Sequence, residues 1–286
     1  MPELSVSRAG RRYGAHFSPP KATDAGFPSH LVVRTGDWPK IAFLTGTIGP
    51  RTDQANTGQC TGEGSKKLGE RLYRRWKDQS PVFAPEFTYY LERQTEGTLS
   101  QGDCGANVDT SLVVPDPVAG GVGWCPVDVA GYTPLDIVTP PSVAQLAAAK
   151  LWPGGARHTI GNIIANIKSC ILSDYSCVVG ISVYDSFEED STAQSGLIPF
   201  PNLDVEQLQG GHEMHSALGF NDDIQCPRAP NPGAVLTENS WGDGWGMICP
   251  AKNLATDRGF CWLAYDYLMN FNLTSDVRMG HLGKPW

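Results

Sequence analysis

The chain has 286 residues, of which 41% are hydrophobic and 18% charged, enough apolar material for one large domain or two lobes. The formal net charge of −8 argues against nucleic acid as the main partner, because phosphate binding needs a basic surface. No apolar run reaches the roughly 20 residues of a membrane span, and the N-terminus lacks the apolar core of a secretory signal. We therefore predict a soluble protein, cytoplasmic by default, with no membrane or nucleic-acid partner.

Residues 1–50 are rich in glycine, proline and basic residues and carry only short apolar runs, which predicts an extended N-terminal arm. Leucine and tryptophan then repeat at four-residue spacing over 60–76, so an amphipathic helix with one buried stripe is expected there. A second helix is predicted over 85–95, where a proline stands at the start. Residues 97–142 are rich in glycine and proline and read as loops.

Five isoleucines at helical spacing predict a further helix over 159–172. Later segments are rich in β-branched and aromatic residues, and they lie at 177–187, 215–220, 233–241 and 260–268. Because helices dominate the first half and strands the second, we predict an α+β fold. The expected division is a helical lobe over about 51–172 and a β lobe over about 173–286.

The eight cysteines stand at positions 60, 104, 125, 170, 177, 226, 249 and 261 and form no CxxC pair. We therefore expect no zinc site, and no metal or cofactor is called for. A chain of this length without a signal peptide more often keeps its thiols reduced. One cysteine can then be a working nucleophile while the others pack as small apolar side chains.

Cys60 stands where a glycine-containing loop meets the first predicted helix. A cysteine in the first turn faces the positive end of the helix dipole, which favours thiolate over thiol. Gln54, six residues earlier, can supply the fixed amide donor that an oxyanion hole requires. A buried structural cysteine is the alternative interpretation of the helix position alone.

Two later motifs carry a histidine and an asparagine. In GGHEMH, a glycine pair before a strand can present His212 at a sheet edge, although a histidine satisfied in the core or at the surface is the default interpretation. In ENSWGDGWG, Asn239 can hold an imidazole in one tautomer, as third members of nucleophile–base sets do. Trp241 and Trp245 can form an aromatic wall that shields this hydrogen bond from water, whereas single tryptophans are usually core.

The order cysteine, histidine, asparagine on helix, strand, strand resembles the papain family of cysteine peptidases. In particular it resembles a branch whose nucleophile motif has DQ followed by GxCT, which DQ at 53–54 and GQCT at 58–61 match, with three residues between them. NSWGDGWG resembles the family's asparagine–tryptophan motif, and GDCGANVD at 102–109 resembles its glycine-containing turn beside the substrate cleft. The similarity covers about residues 50–270.

The resemblance implies a papain-like two-lobe fold, in which a helical N-terminal lobe packs against an antiparallel β-sheet or barrel lobe with the active site in the cleft between them. It also implies hydrolysis of a peptide or protein substrate through an acyl-enzyme. The implied roles are Cys60 as thiolate, His212 as general base and then acid, Asn239 as imidazole orienter, Gln54 as oxyanion donor, and Gly105, Trp241 and Trp245 as substrate-binding residues.

The first turn of the nucleophile helix departs from the family pattern. Gly62 and Gly64 each cost about 1 kcal/mol relative to alanine in a helix. Glu63 between them is expected to be solvated and to interact favourably with the helix N-terminus.

The histidine motif also departs from the pattern. Gly219 lies seven residues after His212, where the family usually has six, so a one-residue β-bulge is required. His215 remains the alternative base.

Two other functions stay open at this point. One is a catalytically silent papain fold that serves as a structural or binding module in a larger assembly. The other is an amidase that acts on bacterial cell-wall peptide with the same residues. No long helical inhibitory segment precedes residue 50, so either activity is controlled in another way or the arm partly covers the cleft.

Overall fold

The computed structural model describes residues 11–17, 26–33, 38–133 and 136–282. Its α-helices are α1 (Cys60–Lys77), α2 (Pro85–Glu96), α3 (Val108–Val113), α4 (Val127–Ala130), α5 (Val143–Ala149), α6 (Ile164–Leu172), α7 (Asp190–Ser195) and α8 (Tyr265–Met269). Its strands are β1 (Ala15–His16), β2 (Ile41–Phe43), β3 (Ala106–Asn107), β4 (Arg157–Thr159), β5 (Cys177–Tyr184), β6 (Leu208–Met214), β7 (Ser216–Asn221), β8 (Ala234–Glu238), β9 (Phe260–Ala264) and β10 (Thr274–Gly280). The predicted segregation of helices and strands is confirmed.

The long helix α1 is the central element of the molecule, in contact with α2, α3, β5, β6 and β7. Its predicted extent is confirmed, and it ends at Asp78, whose left-handed backbone (φ 51°) lets its N–H bond to the carbonyl of Tyr73. The prediction of a single buried stripe is wrong, because Lys66, Lys67 and Glu70 are also buried. Neighbouring elements surround the helix from Cys60 to Tyr73, and only its last turn is exposed to water.

Two of the buried charges of α1 have partners in the surrounding chain. Lys67 Nζ lies 2.9 Å from the Glu238 carboxylate, and Glu70 Oε1 accepts a 3.0 Å hydrogen bond from the Phe83 N–H. The expectation that Glu63 is solvated is also wrong, since it is 2% exposed. Such charges are tolerated in an interior only when partners compensate for lost hydration.

Two four-stranded antiparallel sheets have the orders β4-β10-β5-β6 and β2-β7-β8-β9, and all their strands except β2 come from the second half of the chain. Only His215 separates β6 from β7, so the chain passes from the first sheet to the second at this residue. The sheets of the described residues do not close into a barrel. A single apolar cluster joins side chains of α1, α6 and both sheets.

The predicted helix over 159–172 is only partly correct, because α6 begins at Ile164. Arg157–Thr159 is a strand instead and pairs with β10. The N–H of Ile160 continues this pairing with a 3.0 Å hydrogen bond to the carbonyl of Val277, and Gly161 then turns the chain with φ 66°. Sheet pairing therefore outweighs the helical spacing of the first isoleucines.

The predicted boundaries at residues 50 and 172 stay predictions. Within the predicted arm, Ile41–Phe43 pairs with residues 219–221 and so forms an edge strand of the second sheet. No helix of the described residues is both long and apolar enough to cross a membrane.

Candidate active site

Cys60 is the first residue of α1 and is completely buried. Two glycines of the first helical turn allow neighbouring elements to approach it closely. A Cβ at Gly62 would lie 2.6 Å from the carbonyl oxygen of Pro85, and one at Gly64 would overlap the carboxylate of Glu213. The helix-propensity cost of these glycines is thus offset by close packing of α2 and β6 against the nucleophile turn.

His212 and Asn239 form the hydrogen bond that the sequence predicts. His212 Nε2 lies 2.8 Å from Asn239 Oδ1, which also accepts the N–H of Ser240 at 2.8 Å. An amide oxygen only accepts, so Nε2 carries the hydrogen and the neutral ring keeps its lone pair on Nδ1. Nδ1 has no hydrogen-bond partner among the described residues.

The expected β-bulge is present in β7, where the register against β8 shifts between Ala217 and Gly219. It takes up the additional residue after His212. His215, the alternative base, is also buried, but its side chain has no hydrogen-bond partner among the described residues. Because Asn239 contacts His212, the geometry favours His212 as the base.

The backbone after His212 lies against the thiol of Cys60. Burial raises the pKa of this thiol to about 12, although hydrogen bonds from the backbones of Glu213 and Gly14 oppose the increase. Burial likewise lowers the pKa of His212 to about 4, against the opposing effect of the bond to Asn239. In this state the thiol and the imidazole are both neutral at pH 7.

The side-chain amide of Gln54 is fixed from several sides. Its Nε2 donates to the carbonyl oxygens of Thr57 at 2.8 Å and Arg12 at 3.1 Å, while its Oε1 accepts the hydroxyl of Ser240. The backbone N–H of Gln54 also binds the carbonyl of Ser240 at 2.8 Å. Gln54 therefore already presents an N–H to a peptide carbonyl in the cleft, as an oxyanion donor must.

The two tryptophans form the aromatic wall that the sequence predicts. The ring of Trp241 lies 5.5 Å from that of His212 and 5.3 Å from that of Trp245. Phe187, which the sequence analysis missed, stacks on Trp245 at 5.6 Å and meets Trp241 edge-on. Together these rings exclude water from the bond between His212 and Asn239.

Residues 11–17 cross the site and fill its cleft. Ala15–His16 pairs in parallel with Ala106–Asn107, and the Ala106 N–H donates to the carbonyl of Gly14 at 2.8 Å. The ring of Tyr13 is 2% exposed and lies 5.9 Å from the rings of both His212 and Trp241. The segment thus covers the nucleophile, the base and the oxyanion donor.

Gly14 fits where no side chain can. A Cβ on Gly14 would overlap the carbonyl oxygen of Gly58 and lie 2.6 Å from its carbonyl carbon. On the other side, a Cβ on Gly105 would overlap the carbonyl oxygen of Gly14. The segment can therefore pass between these two backbones only with glycine at this position.

Gly105 lies at the cleft, as the sequence predicts, but its N–H is not turned to the segment. This N–H donates to the hydroxyl of Tyr89 at 2.9 Å. The neighbouring N–H of Ala106 is the one that pairs with the chain in the cleft. Gly105 therefore gives the segment room rather than a hydrogen bond, because it has no side chain. Its φ of 80° also suits glycine.

The sequence did not predict the residues that reach the site from distant positions in the chain. Arg11 bonds to Asp53, and the Tyr13 hydroxyl donates to Glu188, across separations of 42 and 175 residues. Neither residue stands in a periodic pattern or a motif, so the sequence carries no local signal for them. Ser240 had such a signal, since it lies inside NSWGDGWG.

Comparisons with known proteins bear on the fold. No protein-family model matches the chain. An uncharacterized peptidase C1-like protein of Acanthamoeba polyphaga mimivirus is 29% identical over 234 residues, which cover 78% of this chain and 67% of that protein.

Two solved structures extend the comparison. Xylellain, a cysteine protease from Xylella fastidiosa, superimposes with a TM-score of 0.79 at 22% identity and covers 99% of both chains. Procathepsin B S9 of Trypanosoma congolense gives a TM-score of 0.69 at 14% identity, over 96% of this chain and 87% of that one. The chain has a papain-like fold. The resemblance to papain-like cysteine peptidases expected from the sequence is confirmed, and the fold combines helices with antiparallel sheets.

Proposed function

We propose that the chain is a cysteine peptidase in which Cys60 is the nucleophile, His212 the base and Asn239 its orienting partner. The observation that carries the proposal is the 2.8 Å bond between His212 Nε2 and Asn239 Oδ1. This bond leaves Nδ1 as the basic nitrogen of His212. The next residue in the chain, Glu213, contacts the Cys60 thiol through its backbone.

The chemistry follows from these positions. His212 Nδ1 takes the proton of the Cys60 thiol, and the sulfur attacks the carbonyl carbon of a peptide bond. The developing oxyanion accepts hydrogen bonds from the Nε2–H of Gln54 and from the backbone N–H of Cys60. The Cys60 N–H is available because first-turn donors have no acceptor within the helix. The imidazolium then protonates the leaving amine, and the carbonyl carbon remains bonded to sulfur. A water molecule, deprotonated by His212, hydrolyses this thioester and restores the thiol.

We further propose that residues 11–17 keep the enzyme latent. The amine that leaves during acylation must face His212, because His212 protonates it. The C-terminal half of a substrate therefore lies on the Trp241 side of the site, and the N-terminal half lies beside β3. Residues 11–17 run the other way, with Arg12 at Gln54 and Ala15 at β3. The segment therefore fills the cleft in the reverse direction, in which its amide nitrogens are not presented to His212 as leaving groups.

Labelling with an epoxide-type thiol-peptidase inhibitor tests the nucleophile. We expect adducts at Cys60, located by peptide mass mapping, once the cleft is opened by the full-length Gly14→Ala variant. The same variant should hydrolyse peptidyl-aminocoumarin substrates, and Cys60→Ala in that background should abolish both signals. Cys104→Ala is the matched control, because Cys104 is partly exposed and lies outside the proposed mechanism. Adducts at Cys104 without any at Cys60 would contradict the proposal.

A further inference from the structure

A pocket of about 450 Å³ lies on the Trp241 side of the site, and four carboxylates line it. They belong to Asp53, Glu188, Asp190 and Asp243. Among the described residues that line the pocket, the positive charge comes from Arg11, which belongs to the segment that fills the cleft. When this segment leaves, the pocket loses its positive charge and keeps the four carboxylates.

The backbone fixes this pocket directly beside the reacting atoms. Asp53 forms a backbone bridge with Trp241, and the N–H of Gly242 binds the carbonyl of Thr52 at 2.8 Å. The residue after Asp53 is Gln54, the proposed oxyanion donor. Since the leaving amine takes its proton from His212, whose ring lies 5.5 Å from Trp241, the pocket adjoins the leaving half of a substrate.

Arg11 shows which chemistry the pocket accepts. Both terminal nitrogens of its guanidinium bind the carboxylate of Asp53, the Nη2 contact measuring 3.3 Å, and Nη1 also donates to the carbonyl of Ala55 at 3.2 Å. The guanidinium carbon lies 5.9 Å from the centroid of the Trp241 ring, within cation–π range. Asp53 is held in place for this contact, because it accepts the N–H of Ala55 at 2.8 Å.

Trp241 supplies a second, independent sign of an absent ligand. It is 4% exposed and lines the pocket, yet its indole N–H has no acceptor among the described residues. Buried indole N–H groups normally find an acceptor. The backbone carbonyl of a bound peptide is a group of the required kind.

We propose that this pocket binds the residue that follows the scissile bond and selects arginine or lysine there. The inference rests on the proposed peptidase function and names its substrate class, peptides with a basic residue on the leaving side. Arginine suits the site better than lysine, because a planar guanidinium binds a carboxylate through two nitrogens and stacks on an aromatic ring.

Internally quenched peptides that differ only at the residue after the cleaved bond test the proposal. We compare arginine with citrulline, its uncharged isostere, and with glutamate, using the full-length Gly14→Ala chain. The kcat/KM for arginine should exceed that for citrulline by about tenfold, the effect of one charge-assisted contact. The ratio should fall in high salt, since part of the pocket is exposed to solvent.

Substitutions then assign the preference to the carboxylates. Asp243→Asn and Asp190→Asn should each reduce the ratio of arginine to citrulline. Asp223→Asn is the matched control, an exposed carboxylate that pairs with Lys40 away from the pocket, and it should leave the ratio unchanged. Gly14→Leu provides a second way to open the cleft if the alanine variant does not fold.

The possible failures are distinguishable. If the enzyme cleaves an aminocoumarin substrate, which has no residue after the bond, but treats arginine and citrulline peptides alike, the pocket inference is refuted and the peptidase function stands. If neither substrate class is cleaved, the peptidase function is refuted and the pocket is tested by binding alone. Binding of the uncut peptides to the Gly14→Ala, Cys60→Ala chain then measures the pocket without chemistry, and equal affinities for arginine and citrulline would overturn it.

Discussion

Replacement of Gly14 by alanine should expose the nucleophile without changing any residue of the helices or sheets that hold it. The added methyl would overlap the carbonyl oxygen of Gly58, and both nearest groups are backbone atoms that side-chain rotation cannot move. The glycine lies outside the regions that strain an L-residue, so alanine is compatible with the released segment. The substitution therefore acts on the closed state alone.

The size of the effect follows from two bonds of the backbone around Gly14 that its displacement breaks. The carbonyl of Gly14 gives up the Ala106 N–H, and the carbonyl of Arg12 gives up the Gln54 amide. At about 1 kcal/mol for each bond, the closed state loses about 2 kcal/mol, which raises the open population about thirtyfold. Loss of the buried contacts of Tyr13 adds to this figure.

Alkylation of Cys60 by iodoacetamide, followed by peptide mass mapping, measures the open population. We expect the rate at Cys60 to rise about thirtyfold in Gly14→Ala. Gly26→Ala is the matched control, because a Cβ at Gly26 meets nothing within 4 Å, and its rate should equal that of the native chain. Equal rates in the native chain and the Gly14 variant, with both proteins folded, would refute the reasoning that residues 11–17 cover the thiol.

The pH dependence of the same reaction gives an independent check. In the closed state burial raises the pKa of Cys60 to about 12 and lowers the pKa of His212 to about 4, so alkylation should keep rising throughout the alkaline range. Release of the segment admits water and allows the thiolate to pair with imidazolium. The inflection in Gly14→Ala should then lie below the ordinary cysteine pKa of about 8.5. Identical profiles would contradict this account.

Three further substitutions probe the machinery and its surroundings. In the opened enzyme, Gln54→Ala should lower kcat by about 10²–10³ with little change in KM, because the donor acts on charge that develops in the transition state. Asn239→Ala should lower kcat by about 10² by freeing the His212 ring, and raised pH should not restore activity. Glu92→Gln concerns stability: burial raises the pKa of Glu92 to about 8, so the folded chain keeps a proton and loses stability as pH rises from about 4.5 through 8. The variant keeps a partner for the Thr61 hydroxyl. Its free energy of unfolding, measured by urea titration, should exceed that of the native chain by a few kcal/mol at pH 8 and by almost nothing at pH 4. An equal difference at the two pH values would exclude titration of Glu92 as the cause.

The site motifs were predictable because local sequence fixes their geometry. A helix that begins at Cys60 follows from apolar spacing, and the position of Asn239 next to its tryptophans follows from one short motif. The bulge after His212 was also predictable, since an added residue in a strand must leave the ladder somewhere. The helix start and the asparagine motif depend on neighbouring residues in the chain, and the bulge depends on the pairing of one strand with the next.

The sequence could not predict contacts that only the complete fold creates. Lys67 reads as a solvent-exposed residue of an amphipathic helix, and its burial depends on Glu238, which lies 171 residues away in the chain. Gly14 and Tyr13 lie in a segment with no periodicity, and their fit depends on backbones brought together from three regions. Ile160 follows a helical pattern but joins a sheet, because the partner strand comes from the end of the chain.

The segment that fills the cleft is covalently joined to the enzyme that it covers. Its local concentration at Cys60 is therefore on the order of millimolar, whatever the dilution of the protein. A segment that would bind as a free peptide with a Kd of about 10 µM would then be bound about a hundred times more often than free. A single cut between residues 17 and 26 would remove this advantage, and the same contacts would dissociate on dilution.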